Sequence, residues 1–342
     1  MPATPSSLFA KAVEAGASDV HIAVGAPLLF RIDGALIPQT QGTVSVADAE
    51  KFVKAVLGDF NFKRLGQDRE VDIAYQLDDG SRLRINCHYE KNNLGLVARV
   101  IPTVIPTLQD LALEQLAASF LDMREGLILF TGPTGTGKST SMASILNHVN
   151  MERAASVVTL EDPIEFIFPQ GKSVIRQRQF GQDFLSFAEA LKRVLRQDPD
   201  IVMVGEMRDP ETIAAALTLA ETGHLILATL HTPNTVQTVD RIIDVFPPHQ
   251  QPQIRAQLSM SLRAVIAQRL LPKVGGGRIA QREVLMNTPA CANIIRDSRI
   301  QELKSVLQTG EDLGMISFEK DAKRLYKEEL ITKETYEWAT GE

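Results

Sequence analysis

LILFTGPTGTGKST, residues 127–140, is a short apolar run broken by three glycines and closed by a lysine and two hydroxyl side chains. The unbroken apolar character of Leu127–Thr131 suits a parallel strand covered on both faces. Gly132–Thr140 then matches the pattern G-x-x-x-x-G-K-[ST], between a strand and a helix as the pattern requires. The glycines let the backbone curl until several N–H groups point at one anion, and the following helix adds the positive end of its dipole. Gly132, Pro133, Thr134, Gly135, Thr136, Gly137, Lys138, Ser139 and Thr140 are therefore expected to cradle the phosphates of ATP. Lys138 supplies a cation to the β- and γ-phosphates and Ser139 a hydroxyl to Mg²⁺.

Outward from this loop the same rhythm repeats. Ser156–Leu160, Ile201–Val204 and Leu225–Leu230 are further short apolar runs, separated by helical patterns such as Phe187–Arg196. In that segment Phe187, Leu191, Val194 and Leu195 form one stripe. The alternation predicts an α/β core with a parallel sheet. Ligands of such sheets sit at the carboxyl ends of the strands. At those ends stand Glu161, Asp162 and Glu165, then Glu206 after Gly205, then His231. Phosphoryl transfer needs charge neutralisation and a positioned water. Glu206 is the candidate to orient or deprotonate that water. Glu161, Asp162 and Glu165 are candidates to hold Mg²⁺ or steer the base, Asp162 for the metal. His231 is a candidate reader of the γ-phosphate. His224 begins the same strand and lies at its far end from the nucleotide.

The first hundred residues read differently. Asp19–Val24, Leu28–Ile32, Glu70–Leu77, Ser81–Glu90 and Leu94–Ile101 are strand-like, with Asp33-Gly34 and Asp79-Gly80 as turns, and Ser7–Gly16 is a helix candidate. Leu83, Ile85, Cys87 and Tyr89 share one face of a strand; Arg82, Arg84, Asn86 and His88 share the other. This predicts a small antiparallel sheet with helices. Arg84 and Arg99 sit well inside their strands and are candidates to add cations to the phosphates from another domain or subunit. Ile101–Thr107 holds two prolines and reads as a linker. From Gln253 onward helices dominate, interrupted by Gly275–Gly277 and a strand at Arg278–Leu285. The expected division is an N-terminal domain over 1–100, a linker over 101–107, an ATPase core over 108–272 and a helical C-terminal region over 273–342.

Composition narrows the class. The 342 residues are 44% hydrophobic and 23% charged, an ordinary globular balance that suits two or three modules. A net charge of −6 and 6% aromatic residues argue against a nucleic-acid partner. Cys87 and Cys291 form no CxxC pair, which fits a reducing cytoplasm. No signal peptide and no spanning segment is read, so membrane contact is expected only through a partner.

Four boxes in order, Gly132–Thr140, Val158–Phe166, Leu195–Asp209 and Thr222–Thr232, make the chain resemble the secretion ATPase superfamily of type II secretion and type IV pili, and most nearly its pilus retraction (PilT-like) branch. The resemblance implies a PAS-like N-terminal domain, a RecA-like core and a homohexameric ring. It implies Mg·ATP hydrolysis for pilus retraction and twitching motility, with an inner-membrane platform protein and other pilus motor ATPases as partners. It maps the catalytic glutamate to Glu206, the acidic box to Glu161, Asp162 and Glu165, the two histidines to His224 and His231, and the sensor-like arginines to Arg84 and Arg99. Assembly and secretion members usually carry a long extra N-terminal module and a four-cysteine zinc loop, whereas this chain has only Cys291 in its second half. The retraction branch has a C-terminal motif Ala-Ile-Arg-Asn-Leu-Ile-Arg. Here Ala290–Arg296 keeps Asn293 and Arg296 and replaces the first Ile and Arg by Cys291 and Ala292.

Overall fold

The structure, a computed structural model, describes residues 4–32, 34–101 and 104–341. Asp33 of the expected Asp33-Gly34 turn and Pro102 and Thr103 of the expected linker lie outside the described residues. The chain divides into two compact units, Met1–Val104 and Ile105–Glu342.

The first unit runs α1 (Pro5–Glu14), β1 (Asp19–Ile22), β2 (Pro27–Ile32), β3 (Ala35–Thr43), α2 (Val46–Asp68), β4 (Glu70–Gln76), β5 (Arg82–Glu90) and β6 (Asn93–Ile101). Its sheet has the order β3-β2-β1-β6-β5-β4, antiparallel throughout. The alternation in β5 holds: Leu83, Ile85 and Cys87 are wholly buried and Arg84 is exposed. Those buried residues join Phe9 of α1 and Phe52 of α2 in one core. At the β4–β5 turn, the Ser81 N–H donates to the Asp79 carboxylate at 2.8 Å, and Gly80 takes φ of 88°. Two elements escaped the sequence reading. β3 is an edge strand with nearly all side chains exposed, so it carries no buried alternation. α2 is interrupted by Gly58 at φ 65°, which breaks its helical period.

The second unit contains α3 (Glu114–Leu121), β7 (Gly126–Thr131), α4 (Lys138–Glu152), β8 (Ser156–Glu161), β9 (Val174–Gln179), α5 (Phe187–Val194), β10 (Ile201–Val204), α6 (Pro210–Glu221), β11 (Leu225–Leu230), α7 (Thr235–Asp244), α8 (Gln251–Ser261), β12 (Leu262–Pro272), β13 (Arg278–Met286), α9 (Pro289–Arg296), α10 (Leu303–Thr309), α11 (Phe318–Lys327) and α12 (Lys333–Thr340). The sheet order is β13-β12-β7-β11-β10-β8-β9, parallel except for the β12–β13 hairpin. Successive residues of each strand feed opposite layers. Leu127, Leu129, Val202, Val204, Ile226 and Ala228 enter one core, and Ile128, Phe130, Ile201, Met203, Leu225 and Leu227 enter the other. Coverage on both faces is the reason these runs are apolar without alternation. The architecture is α/β with a largely parallel sheet, as the strand–helix alternation predicts, and it fits the RecA-like core that the resemblance implies.

One reading is corrected. Leu262–Pro272, expected within a helix-dominated tail, is the strand β12, hydrogen-bonded to β7 on one side and to β13 on the other. Its apolar residues occur at spacings shared by a helix and by a strand buried on both faces, so periodicity alone does not separate the two. β9 was also missed. It is an edge strand with two apolar residues, Val174 and Ile175, in six.

Both cysteines are fully buried, and burial pushes the Cys87 thiol up to about 12. The thiolate is the reactive species. The native protein is expected to release no chromophore from a thiol-exchange reagent at pH 8, and the two cysteines to react in full once guanidinium unfolds the chain. A native thiol that reacts within minutes would contradict this packing.

Candidate functional site

Parallel register brings the expected residues to one edge of the sheet. β7 and β11 pair Thr131 with Leu230, so the phosphate-loop residue Gly132 and His231 leave the sheet side by side. β10 pairs Val204 with Ala228 of β11 and with Leu160 of β8. Gly205-Glu206 therefore emerges between β11 and the segment Glu161–Glu165. A Cβ on Gly205 would stand 3.1 Å from the Leu160 carbonyl oxygen and 3.3 Å from the Glu161 Cα. Glycine allows that approach, and the Gly205 N–H donates to the Leu160 carbonyl at 2.7 Å.

The loop itself is held by conformations few side chains tolerate. Gly132, Gly135 and Gly137 have φ of 141°, 80° and 85°. A Cβ on Gly132 would collide with the Gln268 carbonyl oxygen and come within 2.9 Å of Thr136 Oγ1. Gly137 is the N-cap of α4, so the first turn of that helix, with Lys138, Ser139 and Thr140, opens at the loop. Lys138 is 7% exposed. Its Nζ donates to the carbonyl oxygens of Gly132 at 2.7 Å and Pro133 at 2.9 Å. Burial pushes the ammonium below the usual lysine range, and the negative charges of Glu206 and Glu165 oppose that shift. A desolvated cation whose hydrogen bonds go to neutral carbonyls is poised for a stronger anionic partner.

Glu206 is clamped from two sides. Its Oε1 lies 2.9 Å from His231 Nε2, and its Oε2 accepts from Arg208 at 2.7 Å. These three residues, with Thr232 and Arg241, line a cavity of about 350 Å³. Thr131 and Thr232 link the ends of β7 and β11 through hydroxyls 2.6 Å apart, and Thr229 Oγ1 donates to the Gly205 carbonyl.

The acidic segment divides. Glu161 is 4% exposed and accepts from Thr159 Oγ1 at 2.6 Å and Gln177 Nε2 at 3.2 Å. Burial raises its pKa, and those hydrogen bonds pull it down. Asp162 and Glu165 are exposed. Among the described residues no three His, Cys, Asp or Glu side chains converge on a metal position. Mg²⁺ bound largely through phosphates and water needs no such cluster.

Other expected residues lie elsewhere. His224 precedes β11 at the opposite end of the strand, its Nδ1 3.2 Å from the Leu219 carbonyl oxygen at the end of α6. Arg84 and Arg99 are cross-strand partners in the first unit. Arg99 donates to Asp19 at 3.0 Å, and Arg84 lies 3.6 Å from Asp72. Asn293 and Arg296 are exposed on α9, while Cys291 of the same helix is wholly buried in the core. Arg208 and Gln268 were not singled out. Arg208 sits two residues after Glu206, within reach of any turn there. Gln268 lies 136 positions after Gly132 in the sequence, and no local pattern marks it.

The family of type II/IV secretion system proteins matches residues 4–340. The chain belongs to that family. It is 39% identical over 329 residues to the type IV pilus retraction ATPase PilT of Pseudomonas aeruginosa, covering 96% of each chain. It is 38% identical to the type IV pilus ATPase PilU of the same species, over 94% of this chain and 85% of that one. Among solved structures, the pilus retraction motor PilT with bound ADP superposes with a TM-score of 0.90 at 38% identity, covering 99% of this chain and 97% of the other.

Proposed function

We propose that this protein is an ATP-hydrolysing motor that drives type IV pilus retraction, and so twitching motility. The observation that carries the reading is the alignment of the glycine loop, Lys138, Glu206 and His231 along one sheet edge, in a family member that matches a retraction ATPase over nearly its whole length. The Gly132–Thr140 backbone binds the phosphates of ATP. Lys138 exchanges its loop carbonyls for phosphate oxygens. Glu206 orients the attacking water and accepts its proton, and His231, beside it, senses the γ-phosphate. Ser139 and Asp162 are the residues assigned to Mg²⁺, which when bound neutralises charge on the phosphate oxygens. Glu161 and Glu165 shape the acidic side of the site. Arg84 and Arg99 are assigned to reach the phosphates from the first unit of a neighbouring subunit in a ring. The expected setting is the cytoplasmic face of the inner membrane, reached through a platform protein, with Asn293 and Arg296 on the exposed face of α9 serving retraction. No helix among the described residues is long and apolar enough to cross a membrane.

Phosphate release tests the chemistry. Lys138→Ala and Glu206→Gln are each expected to lower kcat by about 100-fold or more, since removing one transition-state contact costs that much. Glu206→Gln is expected to keep nucleotide affinity and Lys138→Ala to lose it. Turnover at the unmodified rate in either variant refutes the site.

Light scattering tests the ring. With Mg·ATP the expected mass is about six times that of one chain, and a monomeric mass at every concentration refutes a homohexamer.

Deleting the gene tests direction. Hyperpiliated, non-twitching cells are expected; bald cells would assign the motor to pilus assembly.

A further inference from the structure

We propose that Gln268 of β12 is a positioning residue for the phosphate loop, a role that rests on the nucleotide reading above. Register sets the geometry. β12 runs parallel to β7 with Ala267 opposite Thr131, so Gln268 stands beside Gly132, the first residue of the loop. Its backbone and its side chain both meet loop glycines. The Gln268 carbonyl oxygen occupies the space a Cβ on Gly132 would need, and its Nε2 lies 2.9 Å from where a Cβ on Gly137 would be.

Gln268 is 2% exposed, and its carboxamide has partners at both ends. Nε2 donates to the Thr136 carbonyl oxygen at 2.6 Å. Oε1 accepts from Ser141 Oγ in the first turns of α4 at 3.0 Å and from Arg282 Nε on β13 at 3.4 Å. A carbonyl only accepts and a guanidinium only donates, so the amide has one permitted orientation. Arg282 is itself fixed, donating to the carbonyl oxygens of Leu111 at 2.7 Å and Ala112 at 3.3 Å. Gln268 thus ties the loop and the helix after it to a rigid hairpin. The Thr136–Gly137 peptide is planar, so turning its carbonyl toward Gln268 turns the Gly137 N–H the opposite way, off β12. Gln268 therefore acts on the anion through the backbone it orients.

Two substitutions separate this role from simple core packing. Gln268→Glu keeps the shape and the acceptor but puts a carboxylate oxygen against the Thr136 carbonyl. Gln268→Met keeps the shape and removes every hydrogen bond of the amide. ADP is the probe, with affinity measured by competition against a fluorescent nucleotide, alongside kcat and KM for ATP and the melting of the nucleotide-free protein. Both variants are expected to raise the ADP Kd and the ATP KM by about 10-fold or more, to change kcat by less than about 3-fold, and to keep a cooperative melt. ADP affinity within about 2-fold of the unmodified protein in both variants overturns the proposal, as does a fall in kcat with KM unchanged. Loss of affinity only together with loss of the cooperative melt also overturns it, because Gln268 would then serve folding alone. If the unmodified protein binds ADP and the variants match it, only the role of Gln268 fails; if the unmodified protein binds none, the nucleotide reading fails and this proposal with it.

Discussion

The parallel ladder linking β8, β10, β11, β7 and β12 is the constraint on which the rest of the second unit depends. The strands β7, β8, β10 and β11 are short and almost wholly buried, and the longer β12 pairs with β7 through one irregularity between Leu262 and Ala264. A one-residue slip in a strand would reverse which layer each side chain enters. It would also carry the residue after the strand away from its neighbours. Packing and site geometry are therefore fixed by the same hydrogen bonds. The two cores are what hold Gly132, Glu206 and His231 in line.

Charge at this edge is balanced within the site. Lys138 is desolvated and held by two loop carbonyls, with Glu206 and Glu165 near enough to favour its charged form. Glu206 has its own cation in Arg208 and a histidine at its other oxygen. Each group has its partners, neutral carbonyls for Lys138 and a guanidinium and an imidazole for Glu206. Such partners keep the buried polar groups ordered.

Outside the site, the exposed face of α9 and the buried one answer to different demands. Thr288 caps the helix through the Cys291 N–H, and Cys291, Ile294 and Ile295 enter the core that also holds Leu285 and Leu303. Cysteine behaves there as a small apolar side chain and seats the helix against that core. Asn293 and Arg296 remain outward and exposed.

The phosphate loop, the strands that flank it and the carboxylates at their ends were legible in the sequence because each is local. A glycine pattern, a buried strand and the residue that follows it all fall within about a dozen positions, and a parallel sheet aligns strand ends whatever the loops between them do. The alternation of β5 was legible for the same reason. Three things were decided only by tertiary structure. β12 has the spacing of a helix and a buried strand alike, and its place beside β7 makes it a strand. Glu161 looks like its neighbours Asp162 and Glu165 in sequence, and burial beneath Gln177 and Thr159 sets it apart. Gln268 reaches Thr136 across 132 positions of chain. Such a contact depends on the order of strands in the sheet, which hydrophobic period does not encode.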